Sequence, residues 1–473
     1  MSALPQWAAV SGRRILNGRP GAAQLHIPLP VLHPVFGRFM DALAGPAPGS
    51  APAAAGDDDF ERRLHMRTWR FMDAMASDFA DEAARNAQLL EHLGPLIAGH
   101  YAMAKVQIDG VTTDGTITVN NCVVLNLELK HSGDPEVQND AHLLRQTLRQ
   151  PASGLVTMRA RVAATAPLAP ALLVDVHRGT LMVVRGAVLM SPCLVTEELA
   201  VVSLMGRPGS AAHDALTRVL VALRAAVAEL GCMYAGLPGH DGDAAAWCTP
   251  PLLAHPAAAL PTFSVPLPPG TLAGGEFVSV TAVAPWLGEG SHHLVFAATL
   301  GGRTPSSPPP LPPRTVLLKL VRGRYGGRAH AAAAELGYAP ALLGTAQVPG
   351  GWTVVAMDAL SAHNGWEVYN PGDPAQRAAV LAAYAASVAG LGHVHGDLRP
   401  VNVLVRVPPR SGAAVVGVAF LDWDWAGAAG EVVYPPGLSE AIAWPAGAHV
   451  GAAITQLHDE AMLEGRAGGA VFG

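Results

Sequence analysis

Apolar and polar positions follow two different periods along this chain. From Lys105 the run KVQIDGVTTDGTITVNNCVVLNLELK gives two extended stretches, Val106 to Ile108 and Val123 to Lys130, around turn residues. The second alternates so that Glu128 and Lys130 share one strand face. Further strands are predicted around Ala171 to Val188, and a helix from Met72 to Leu93 precedes them all. Leu216, Val219, Leu220 and Leu223 recur at helical spacing, which predicts a helix over 212–230 that closes a first domain. In the second half, Thr315 to Val321 reads as an apolar strand carrying one charge, Lys319, and Ala329 to Leu336 as a helix. Gly351 to Leu360 reads as a strand running into a connecting segment. Pro374 to Gly392 is rich in Ala, Val and Leu and poor in charge, as in a buried helix.

Composition marks the boundaries between these runs. Ala44 to Asp59 (AGPAPGSAPAAAGDDD) reads as a flexible insertion or linker, and Trp247 to Gly275 is rich in Pro and Ala. The expected organisation is therefore an extension over 1–59, a domain over 60–235, a linker over 236–275 and a second domain over 276–473. Gly301 to Arg314 and Pro408 to Val415 lengthen two hairpins of the second domain and are expected to be exposed. With 473 residues, each domain can bury a core. Half of the residues are hydrophobic, much of that share being alanine. No apolar stretch reaches the roughly 18 residues of a membrane span, so no membrane partner is expected. A net charge of −6 gives no general attraction for nucleic acid, so any DNA contact is expected at a local site. The 4 cysteines (Cys122, Cys193, Cys232, Cys248) show neither metal spacing nor a paired framework, which fits an intracellular setting, cytoplasm or nucleus.

The chemistry concentrates in His393-Val394-His395-Gly396-Asp397-Leu398-Arg399-Pro400-Val401-Asn402, followed directly by an apolar strand. A second acidic group, Asp422-Trp423-Asp424, follows Phe420-Leu421. Phosphoryl transfer asks for a positioned hydroxyl, neutralised phosphates and held Mg²⁺. Asp397 suits the base that receives or orients the hydroxyl proton, Arg399 the cation beside the transferring group, and Asn402 and Asp422 the oxygen ligands of Mg²⁺. Lys319, costly in an apolar strand unless paired, suits a phosphate anchor. Glu335, the one acidic residue between Lys319 and Met357, is its natural partner. Trp286 to Ala298 fits a phosphate loop in which Gly288 and Gly290 let the backbone approach and Val295 covers the base, with Met357 in the segment holding adenine.

Residues from about 270 onward resemble the protein-kinase-like superfamily, and in particular the divergent fungal-type protein kinase family also found fused in Crinkler-like effectors. The phrases LVRGRYGGRAH, AELGYAP, GGWTVVAMD, HGDLRPVNVLV, FLDWDWAG and EVVYPP carry that resemblance. It implies a bilobal fold using ATP and Mg²⁺, with Lys319, Asp397, Asn402 and Asp422 as the machinery. The chain departs from the family pattern at Trp423 and Asp424, where Phe and Gly are usual. That resembles choline-kinase-like and aminoglycoside-kinase-like enzymes, in which Asp424 would also reach metal. The 51 residues after Asp422 are few for a peptide-binding lobe, and no Ala-Pro-Glu motif occurs there.

Residues 60–235 resemble the restriction-endonuclease-like (PD-(D/E)xK) nucleases. Asp109 or Asp114, then Glu128 and Lys130, match an Asp followed by Glu-x-Lys, Gln138 matches a helical Gln, and Glu82 adds an acid from the preceding helix. The resemblance implies two carboxylates on Mg²⁺, with Lys130 activating water at a DNA phosphodiester. The expectation is thus an α+β chain of two domains, an N-terminal α/β endonuclease-like core and a C-terminal kinase-like fold. Its expected activity is ATP- and Mg²⁺-dependent phosphotransfer to a protein (Ser/Thr) hydroxyl. The alternatives are a Mg²⁺-dependent nuclease regulated by the second domain, a pseudokinase acting as a binding or effector protein, and a small-molecule kinase.

Overall fold

The structure, a computed structural model, describes residues 15–16, 28–45, 58–108, 111–120, 122–130, 135–148, 169–190, 193–236, 263–265, 278–285, 294–302, 314–360, 365–407, 414–436, 438–439 and 442–465. The chain divides into two compact units, the first built mainly from Met1–Pro261 and the second mainly from residues 262–473. Among the described residues no helix is long and apolar enough to cross a membrane.

The first unit is a seven-stranded sheet flanked by helices. Its strands are β1 (Ile15–Leu16), β2 (Met103–Ala104), β3 (Gly115–Val119), β4 (Cys122–Lys130), β5 (Ala169–His177), β6 (Leu181–Met190) and β7 (Cys193–Ser203), in the order β1-β7-β6-β5-β4-β3-β2. The helices are α1 (Pro34–Ala44), α2 (Asp58–Met75), α3 (Glu82–Ile97), α4 (Pro135–Leu148) and α5 (Ala211–Ala235). β4 and β5 run parallel, with Glu128 opposite Asp175 and Lys130 opposite His177. A parallel pair needs a crossover connection, and α4 lies in it. Residues Cys122 to Leu129 of β4 are all buried, so both faces of the strand are covered despite its alternating polarity. The helix expected over 72–93 is two helices. Asp81 ends the break between them, its Oδ1 accepting the Ala84 N–H at 2.7 Å as an N-cap. α5 runs longer than its apolar stripe, starting at the Ser210 cap.

The second unit begins earlier than residue 276, because Phe263–Val265, within the stretch expected as linker, is a strand of its sheet. That sheet holds β8 (Phe263–Val265), β9 (Val278–Pro285), β10 (Val295–Gly302), β11 (Arg314–Arg322), β12 (Leu342–Val348) and β13 (Trp352–Asp358), in the order β8-β9-β10-β11-β13-β12. Lys319 pairs with Val295 of β10 on one side and Val355 of β13 on the other, so it stands on an interior strand. α6 (Gly327–Glu335) follows β11. The helix expected over 374–392 is α7 (Pro374–Tyr384), capped by Asp373 and continued by a π turn over Ala385–Ala389; it is amphipathic rather than buried, with Gln376, Val380, Ala383 and Tyr384 inward and Ala375, Arg377 and Ala378 exposed. β14 (Trp366–Val368) precedes α7, and after it come β15 (His393–Val394), β16 (Val403–Arg406), β17 (Gly417–Phe420), β18 (Gly427–Ala428) and α8 (Gln456–Leu463). Tyr384, Val403, Phe420, Trp423, Tyr434 and Leu463 belong to one buried cluster there, which fixes the segments around residues 395–402 and 422–425.

Candidate active site

The antiparallel pairing of β16 with β17 builds the site. Val403 lies opposite Phe420, and the Leu421 N–H donates to the Asn402 carbonyl at 2.8 Å, so Asn402 and Asp422 emerge side by side. Asp422 then turns the chain with φ 66° and ψ 60°, a left-handed conformation that costs a non-glycine residue about 1–3 kcal/mol. Trp423 anchors this turn from below. It is 1% exposed and its Nε1 donates to the Phe420 carbonyl at 3.0 Å.

Asp397 sits in the segment between β15 and β16. Its carboxylate accepts from Arg399 Nε at 2.5 Å and Nη2 at 2.7 Å, and from Asn402 Nδ2 at 3.0 Å. Asn402 Nδ2 also donates to the Asp397 carbonyl at 3.0 Å, which leaves the Asn402 amide oxygen as the atom open to a cation. The carboxylate beside Arg399, its strongest influence, raises the guanidinium pKa further. Asp397, Arg399 and Asn402 therefore form one bonded unit.

Lys319 reaches the second acidic group. Its Nζ donates to Asp422 and, at 2.5 Å, to Asp424 Oδ1. Burial alone lowers the pKa of this ammonium, but the two carboxylates outweigh it and hold the pKa above its ordinary value. Burial pushes Asp424 up to about 6, with Lys319 opposing and Asp422 adding to the rise. The oxygen set of Asp422, Asp424 and Asn402 fits a hard divalent cation, and the ammonium between the two carboxylates marks where positive charge is wanted.

The expected partner of Lys319 is not at the site. Glu335 is exposed at the end of α6, while Lys319 bonds to Asp422 and Asp424. The nine residues of α6 instead reach the acidic turn through His330. The His330 ring stacks on Trp423 with centroids 5.5 Å apart and planes 1° from parallel. Its Nε2 meets the Pro340 carbonyl at 2.8 Å and its Nδ1 the Tyr325 hydroxyl at 2.5 Å. His395 packs on Trp423 from another side at 4.8 Å. Burial lowers both histidines to about 4, so both rings are neutral near pH 7.

Asp459 was not legible as a site residue. It is fully buried on α8, and its carboxylate accepts the His395 and Gly396 N–H groups, both at 2.7 Å, and the Tyr384 hydroxyl at 3.1 Å. It thus holds the backbone just before Asp397. Burial pushes its pKa up to about 7, against the opposing pull of those three donors. The sequence carries no distinct signal for it, because an acid in the first turn of a helix, here followed by Glu460, is ordinary.

Of the remaining expected positions, Gly288 and Gly290 lie outside the described residues. Val295 is half-buried opposite Lys319, and Met357 packs with Val321 and Val355.

A second cluster forms in the first unit. Glu128 is 1% exposed. Its Oε1 faces Lys130 Nζ at 3.0 Å and its Oε2 faces His142 Nδ1 at 3.2 Å. Lys130 also donates to Glu82 at 3.2 Å. Asp114 accepts the Leu129 N–H at 2.8 Å and a bond from Asn86. Burial, joined by the charge of Glu128, raises the pKa of Asp114. Gln138 is half-buried on α4, four residues before His142. Asp109 lies outside the described residues. Asp114, Glu128, Lys130 and Glu82 are thus brought together.

No protein-family model matches the chain, and no curated protein matches it. Similar solved structures include two kinases. Against the kinase PK-1 of Cydia pomonella granulovirus the TM-score is 0.21 at 11% identity, over 30% of this chain and 54% of that one, so the match spans about half of that kinase. Against vaccinia-related kinase 3 the TM-score is 0.28 at 13% identity, over 44% of this chain and 68% of that one.

Proposed function

We propose that the second unit is an ATP- and Mg²⁺-dependent phosphotransferase of protein-kinase-like type, with a protein serine or threonine hydroxyl as the foremost acceptor. One observation carries this reading: the β16–β17 hairpin sets Asn402 beside Asp422, Asn402 being bonded to Asp397, which Arg399 also holds, and Asp422 to Lys319 of β11. In the reaction the acceptor oxygen bonds to the γ-phosphorus, the bond to the ADP oxygen breaks, and the hydroxyl proton passes to Asp397 Oδ. Arg399 holds that carboxylate in place and offsets charge on the transferring group. Lys319 anchors phosphate oxygens. Asp422, Asn402 and Asp424 would hold Mg²⁺, which when bound neutralises the phosphates.

The test is a thermal-shift titration with ATP and Mg²⁺ on the wild-type chain and Lys319→Ala, followed by labelled phosphate transfer to protein and small-alcohol acceptors. A Mg²⁺-dependent rise in melting temperature that the variant loses supports a nucleotide site. No rise at millimolar ATP would sink the reading and leave a pseudokinase. Transfer to small alcohols and never to protein would move the acceptor to the small-molecule class, the direction in which Asp424 points.

The first unit supports a second reading, a Mg²⁺-dependent nuclease using Asp114, Glu128 and Lys130 on DNA. The observation in its favour is a nearly fully buried Glu128 whose two oxygens face Lys130 Nζ at 3.0 Å and His142 Nδ1 at 3.2 Å, with Glu82 also bonded to Lys130. A buried carboxylate is costly unless it is paired or holds a metal. Metal-dependent DNA cleavage that disappears in Lys130→Ala is the expected result; cleavage that persists would remove these residues from any such chemistry.

A further inference from the structure

On its helical side the first unit has a cavity of about 210 Å³ lined by Arg63, Leu64, Arg67, Pro95, Leu96 and Arg224. Arg63 and Arg67 are four residues apart on α2 and so project from one face. Arg224 comes from α5, while Pro95 and Leu96 belong to the last turn of α3. Three arginines and an apolar floor line the space, and among the described residues no carboxylate does. We propose that this cavity binds a small ligand bearing a phosphomonoester next to an apolar ring.

The charge arrangement favours an anion. The end of α3 presents open carbonyls, which by themselves repel one. Arg224 offsets them, its Nη1 donating to the carbonyls of Pro95 at 3.4 Å and Leu96 at 3.5 Å. These bonds are long and involve Nη1 alone, which leaves the other N–H groups for a ligand. Arg67 is exposed and is held by no ion pair among the described residues. Arg63 is partly committed to other contacts, so Arg67 and Arg224 carry the recognition. Arginine's planar fork matches phosphate oxygens in pairs, which a lysine cluster would not do.

Size and floor select the rest of the ligand. Leu64 and Leu96 are buried at 8% and 2% exposure and give the apolar wall. An apolar cavity of about 150 Å³ takes up benzene, so about 210 Å³ admits a ring with the phosphate at its mouth. The site is separate from the Glu82–Lys130 cluster. Pro95 follows Glu82 by 13 residues in the same helix, a distance of about 20 Å.

The probes are phenyl phosphate, inorganic phosphate and phenol, titrated calorimetrically into the full chain and into Arg67→Glu and Arg207→Glu. Arg207 is an exposed arginine outside the cavity, and thermal melting checks that both variants fold. Saturable binding of phenyl phosphate, weakened at least tenfold by Arg67→Glu and unchanged by Arg207→Glu, is expected. Inorganic phosphate should bind more weakly and phenol not at all. Equal binding of inorganic and phenyl phosphate would overturn the role given to the apolar floor. Absence of binding at millimolar probe, or binding insensitive to Arg67→Glu in a folded variant, would overturn the site itself.

Discussion

Asp397 has its carboxylate taken up by Arg399 and Asn402 before any acceptor arrives, so its geometry is set in advance. Asp397→Asn keeps the shape and removes the proton acceptor. Transfer is expected to fall by roughly 10²–10⁴-fold with ATP affinity preserved, measured by single-turnover transfer and by ATP titration. Unchanged turnover would exclude Asp397 from the chemistry. That Asp397, Asn402 and Asp422 would lie near one another was legible, because five residues separate the first two and one hairpin joins the last two. Asp459 was not, because the bond that gives it meaning spans 63 residues. Its pKa of about 7 lies above the ordinary carboxylate value of roughly 3.9. The folded state therefore binds the proton better, and the stability this contributes is present below pH 4 and is lost as pH rises through about 7. Asp459→Asn is expected to flatten the stability change between pH 5 and 8 in denaturant titrations. The loop needs the opposite state, since only the ionised carboxylate accepts on both oxygens. Turnover of the wild-type chain should rise across the same pH range while stability declines.

At the scale of elements, the glycine before Asp397 is more constrained than its neighbours. Gly396 has φ 88°, and a Cβ there would lie 2.8 Å from Ile454 Cδ1. Gly396→Ala is expected to cost about 1–3 kcal/mol in stability and to lower turnover by displacing the Asp459-held backbone, read by denaturant titration beside the transfer assay. A variant as stable and active as wild type would show that the loop relaxes freely. The strand of Lys319 and the helix after it were legible from apolar spacing. How they connect to the site was not. Acid content pointed to Glu335, yet α6 meets the acidic turn through the neutral His330 ring stacked on Trp423. Ring stacking leaves no mark in charge or periodicity, so one Trp between two acids was its sole trace. Likewise, the single helix expected over 72–93 concealed a cap at Asp81, because the polar residues before it read equally well as an exposed helical face.

For the whole molecule, the α+β character and the presence of two units follow from the runs of periodic sequence, whereas the start of the second unit's sheet at Phe263 is hidden in a Pro- and Ala-rich stretch. The two clusters of charged residues belong to different units and share no residue. Lys319→Ala should therefore remove nucleotide-dependent stabilisation and leave any DNA cleavage intact, and Lys130→Ala should do the reverse. Loss of both functions in either variant would mean that one unit works only through the other. The latch between Asp459 and the Gly396 backbone also has a consequence in time. A ribosome adding about 5–20 residues per second needs roughly 3–13 s to pass from one to the other. For most of that interval, once Asn402 has been added, the nascent chain carries every signature residue of the loop while the backbone of that loop is unlatched. On the proposed reading, the loop's geometry is thus completed late in synthesis, and a proteolytic cut before α8 is expected to abolish phosphotransfer while sparing each of the recognisable motifs.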